Sequence, residues 1–85
     1  MSSSIVNPLR AVREARGLSQ EEAARKAMVS LGTWSNWERF SVSPTIRKFP
    51  DIAAALAISL DEVQDAVKKI QTEILRRQQS HRRSA

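Results

Sequence analysis

Eighty-five residues, 41% of them apolar, can build one small core and exclude a large cleft enzyme. The chain has no Cys, which removes disulfides and thiolate metal sites and fits a reducing compartment. No run approaches the roughly 18 apolar residues of a membrane span, and Met1 to Pro8 lacks the basic start and apolar core of a signal peptide. The net charge of +5 is uneven: up to Asp65 eight basic residues meet eight acids, whereas six basic residues from Ala66 onward face Glu73 alone, so any long-range attraction to a polyanion comes from that end.

In chain order the sequence reads as all-helical, since no stretch alternates apolar and polar for a strand's length. Asn7-Pro8 is a helix start, and Gly17 is a left-handed stop after Arg16. Leu9, Val12 and Arg13 share that helix's inner face. Ser19-Gln20-Glu21-Glu22 spells a capping box and opens a second helix to about Ala27, with Ala23, Ala24 and Ala27 on one side. A Met28-Val29 turn leads to Ser30, the cap of a third helix over Leu31 to Arg39. There Trp34, Trp37 and Phe40 form an apolar stripe.

After a loop from Ser41 to Pro44, Thr45 is placed to cap a fourth helix carrying Ile46, Phe49, Ile52, Ala53 and Leu56. Pro50 either kinks that helix or marks its true start. Ser59 caps a last helix from Leu60 to about Gln79, along which Val63, Val67, Ile70 and Ile74 follow a 4-3-4 spacing. Two uses of that stripe stay open: a self-complementary dimer seam through Val67, Ile70 and Ile74, or a helix folding back onto its own core. The expected domains are an N-terminal arm (1–8), a helix-turn-helix unit (9–63), an extended last helix available for dimerisation (64–79) and a basic disordered tail (80–85).

Two short helices joined by a tight turn, with one helix before and two after, suggest a helix-turn-helix DNA reader. The stretch Leu9 to Val63 resembles the lambda-repressor-like, Cro and xenobiotic-response-element family. R-G-L-S-Q-E-E at 16–22, V-S at 29–30, W-E-R at 37–39 and A-L-A-I-S-L-D-E-V at 55–63 carry the likeness and fall in register without gaps. The resemblance implies a five-helix lambda-repressor-like helix-turn-helix domain with an extended C-terminal helix. It also implies that Gln20 contacts the DNA backbone, that Arg13 and Glu38 form a buried pair, and that the third helix enters the major groove. With both Trp residues inward, Leu31, Gly32, Thr33, Ser35, Asn36 and Arg39 are the base-reading candidates. Arg16, Ser19, Gln20, Ser43, Thr45, Arg47 and Lys48 are the phosphate candidates.

The sequence departs from the family where Met28 and Phe40 stand at positions usually held by Gly. It departs again where Ala23 and Ala27 replace Leu while Trp34 and Trp37 replace Ile, a trade that conserves core volume. No enzymatic, cofactor or metal constellation is found; the single His, His81, falls in the tail. The resulting expectation is a sequence-specific regulator of double-stranded DNA, a repressor acting as a homodimer by occluding a promoter. It would work in the cytoplasm, at the nucleoid if the source is bacterial. Two other readings remain: an antitoxin-like or adaptor module that grips a protein partner with its last helix, and a nonspecific nucleic-acid binder using Arg76, Arg77, Arg82 and Arg83.

Overall fold

The computed structural model describes residues 5–83. Its helices are α1 (Pro8–Ala15), α2 (Gln20–Lys26), α3 (Leu31–Glu38), α4 (Phe49–Leu56) and α5 (Leu60–Arg83), with a 3-10 turn at Ile46–Lys48. The described residues are all-helical, as the sequence implies.

Each early helix starts where a side chain can accept a free backbone N–H. Asn7 Oδ1 accepts from Leu9 and Arg10 at 2.9 and 3.1 Å, and Ser30 Oγ accepts from Thr33 at 3.1 Å. Ser19 and Glu22 close a reciprocal capping box, and Ser59 and Glu62 repeat it at the head of α5. Thr45 is different. It precedes the 3-10 turn with no side-chain cap bond, because Pro50 lacks the N–H that a helix begun at Thr45 would need. The α-helix therefore starts at Phe49, the second of the two alternatives left open at Pro50, and Ile46 lies outside it and is 74% exposed.

The four short helices stop in one way. In each, an N–H just past the helix end reaches back five residues to a carbonyl of the last turn: Leu18 to Arg13, Val29 to Ala24, Ser41 to Asn36 and Ile58 to Ala53. This closure needs a left-handed residue, and the positions are filled by Gly17 (φ 73°), Met28 (61°), Phe40 (62°) and Ala57 (56°). Glycine takes that conformation freely, whereas each of the other three carries a penalty of about 1–2 kcal/mol. The missing glycines at Met28 and Phe40 thus leave the turn geometry unchanged and load it with strain.

The core joins Leu9 of α1, Ala23 of α2 and Ala27 at its C-cap, Trp34 and Trp37 of α3, and Ile52 and Leu56 of α4, all buried. The two indoles lie 5.4 Å apart at 58°. Small residues on α2 leave the room that the large ones on α3 occupy.

The last helix corrects one expectation. Val67 and Ile70 are 2% and 0% exposed, and Ile74 is half-buried against the same core. Val67 and Ile70 close the domain against α1 and α4 and have no surface left for a partner. The 4-3-4 spacing marks a face and not its occupant. The helix also runs past Gln79 to Arg83, so part of the expected tail is helical. Residues 1–4 and 84–85, from the expected arm and tail, lie outside the described residues, as do the side chains of residues 80–83.

Candidate nucleic-acid interface

The third helix is fixed by what lies behind it. Glu38, at its C-terminal end, turns inward and its side chain is 3% exposed. Arg13 of α1 donates to both carboxylate oxygens, Nε to Oε2 at 2.6 Å and Nη2 to Oε1 at 3.1 Å. Gln20 Nε2 donates to Oε1 at 2.9 Å, and the Trp34 indole N–H donates to Oε2. Arg13 Nη1 also reaches the Leu18 carbonyl at 2.8 Å. Burial alone would push the Glu38 carboxyl up, but the hydrogen bonds from Arg13, Gln20 and Trp34 outweigh it and hold the carboxyl below its ordinary range. The same pairing raises the Arg13 guanidinium above its ordinary value.

Asn7 adds a second tie. While its oxygen caps α1, its Nδ2 donates to the Trp37 carbonyl at 2.9 Å, so one buried side chain fastens the start of α1 to the end of α3.

With that side locked, the opposite side of α3 carries the base-reading candidates. Leu31, Gly32 and Arg39 are exposed, and Thr33, Ser35 and Asn36 half-exposed. Thr33 Oγ1 accepts the Ser30 hydroxyl at 2.9 Å, which pins its rotamer. The Asn36 amide and the Arg39 guanidinium have no hydrogen-bond partner among the described residues. Gly32 is not required by the fold: a Cβ built there would meet nothing nearer than Ser30 Oγ at 3.9 Å.

The phosphate candidates divide. Arg16 donates from Nε to the Leu56 carbonyl and from Nη2 to the Ala57 carbonyl, both at 3.0 Å, and so caps α4. Lys48 Nζ lies 3.3 Å from the Met28 carbonyl, 3.5 Å from that of Ala27 and 3.3 Å from Asp51 Oδ2, bracing the strained end of α2. The Gln20 amide is held on Glu38, and the Ser19 oxygen caps α2. Arg16, Gln20 and Lys48 are therefore engaged inside the domain. Thr45 and Arg47 are exposed and Ser43 half-exposed, and these side chains are unpartnered among the described residues.

Two donors to Glu38, from Gln20 and Trp34, and the bond from Asn7 to Trp37 are not anticipated by the sequence. The four-residue spacing of Trp34 and Glu38 was the one local signal available, because it puts both on one helical face.

A helix pair joined by a tight turn, braced from behind by a buried ion pair and open on one side of its second member, defines a helix-turn-helix DNA-binding domain. Residues 9–63 match the helix-turn-helix family, and the chain belongs to that family in its lambda-repressor-like, xenobiotic-response-element form. The match makes the protein a DNA-binding transcription regulator. No curated protein and no solved structure matches the chain. No helix among the described residues is long and apolar enough to cross a membrane.

Proposed function

We propose that the protein is a sequence-specific repressor that reads double-stranded DNA with the outward face of α3 in the major groove and acts as a homodimer. The observation that carries this reading is the pair Asn36 and Arg39. Their polar ends are unpartnered on the open side of a helix whose other side is immobilised by the Glu38 network. Asn36 offers the bidentate match to adenine N6 and N7, Arg39 that to guanine O6 and N7, and Leu31 and the Thr33 methyl suit a thymine methyl. Ser43, Thr45 and Arg47, which follow α3 in the chain and are unpartnered among the described residues, take phosphate.

Magnitudes favour two copies. Each bidentate contact discriminates by about 1–3 kcal/mol, whereas specific sites are about 4–10 kcal/mol better than nonspecific DNA. Two such contacts give about 2–6 kcal/mol, which overlaps only the lower part of that range, and two half-sites double this to about 4–12 kcal/mol, which spans it. Because Val67 and Ile70 are buried, the surface that joins the copies lies elsewhere. Repression follows by occlusion of a promoter in the cytoplasm, at the nucleoid if the source is bacterial.

The test is selection from randomised duplexes at a stated salt concentration. The reading expects an enriched motif whose halves lie about 10–10.5 base pairs apart or a multiple of that. No enrichment over input would overturn it. Arg39→Ala should relax the preference at one base pair of each half-site, while Arg47→Ala should weaken all sequences alike and lower the salt slope by about one.

A further inference from the structure

Phe40 is at once strained and buried. It is the left-handed residue that ends α3, with φ 62° and 9% exposure, and it stands where the family usually has glycine. A phenylalanine persists in that conformation if its ring is held by its surroundings.

Part of what holds it comes from beyond the family match. The Arg77 guanidinium of α5 lies over the Phe40 ring, with Cζ 4.6 Å from its centre. Glu73, one turn earlier, accepts from Arg77 Nε at 2.8 Å and from both Arg76 Nε and Nη2 at 3.0 Å. Three donors from these two arginines keep the Glu73 carboxyl below its ordinary range. Glu73 itself is 4% exposed, on the same side of α5 as Ile70. The helix is anchored by Val63, Val67 and Ile70, so Arg77 is delivered to Phe40 by a fixed rod rather than by a free tail.

Phe40 is also where the phosphate loop begins. The Ser41 and Val42 N–H groups both turn back to the Asn36 carbonyl, at 3.0 and 3.5 Å, and Ser43 and Thr45 follow directly. The backbone angle at Phe40 therefore sets how that loop leaves α3.

We propose that Arg77, oriented by Glu73 and stacked on Phe40, is a positioning residue for the DNA interface. Through it the extension of α5 fixes the end of α3 and the loop carrying Ser43 and Thr45. This rests on the DNA-reading function above. Arg77 contacts no base and no phosphate in this role.

The test compares Arg77→Ala, Arg77→Lys and Glu73→Gln with the unaltered chain, using the duplex found by selection and a titration at several salt concentrations. Arg77→Ala should weaken binding about two- to fivefold, the range expected for a cation–aromatic contact whose guanidinium is half exposed, with the salt slope unchanged. Arg77→Lys should recover part of the loss, and Glu73→Gln should show part of it although it removes a negative charge near DNA. Unaltered affinity in Arg77→Ala, or a slope lowered by about one unit, would overturn the proposal; the second result would make Arg77 a phosphate ligand. Amide hydrogen exchange of the free protein supplies a reading independent of DNA. Arg77→Ala should speed exchange at Ser41 and Val42 while leaving the N–H groups of α2 protected, and unchanged rates there refute the clamp. If the unaltered chain selects no duplex, the DNA reading itself fails and the exchange result alone decides the clamp.

Discussion

Replacing Glu38 by Gln keeps the shape of the side chain and removes its charge. The carboxylate takes two donors from Arg13, one from Gln20 and one from Trp34. An amide can accept at one end, so its NH2 must face N–H groups at the other, whichever way it is turned. The Arg13 charge is then stranded beside a side chain 3% exposed, and breaking such a pair from one side costs about 3–5 kcal/mol. A domain of this size has about 4–13 kcal/mol in total, so the variant loses a large part of its stability. Urea unfolding followed by the fluorescence of Trp34 and Trp37 measures the loss. With a slope of about 1–2 kcal/mol per molar, the midpoint should fall by at least about 1.5 M. The double variant Arg13→Met, Glu38→Leu should recover part of the loss, because two apolar groups leave no stranded charge. A shift in Glu38→Gln of less than about 1 kcal/mol would refute the claim that this network fixes α3.

Four further outcomes follow from the same geometry. The Glu38 carboxyl is held below its ordinary value of 4.5, so its contribution is complete above that pH and is lost as pH falls through the lowered value; the acid arm of the stability curve should flatten in Glu38→Gln. Gly32→Ala should raise stability by about 1 kcal/mol, since the fold leaves room for a Cβ, yet weaken operator binding if DNA approaches the backbone there; equal binding would show that the glycine serves no contact. Ala57→Gly should stabilise by about 0.5–1 kcal/mol, the left-handed penalty less the extra unfolded freedom of glycine, read as a rise in melting temperature, and a fall would contradict the strain argument. Ala23→Leu should destabilise by about 1–3 kcal/mol, because the space beside Ala23 is filled by large residues; an unchanged melting temperature would mean that the core has room.

Much was legible in the linear chain because it is local. A cap, a capping box or an apolar stripe depends on residues three or four apart, and Asn7, Ser19, Ser30, Ser59, Trp34 and Trp37 all do what their spacing predicts. The same locality explains Thr45: its cap signal is present, but Pro50 marks the true start of the helix, one of the two alternatives the sequence leaves open. The outward face of α3 was likewise readable, since knowing that both indoles point inward fixes where Asn36 and Arg39 point.

Tertiary structure decided which charges remain available. Nothing near Arg16 in sequence says that the carbonyls of Leu56 and Ala57 will be brought to it, or that Lys48 will find those of Ala27 and Met28. Arg39 and Arg47 carry the same charge and stay open. A cation's partners are set by where distant helices end, and composition cannot encode that. The stripe on α5 shows the same limit: its period specifies a buried face equally well for a second copy or for the domain itself. The turn at Ala57 and Ile58 directs α5 back onto α1 and α4, and that direction settles the choice.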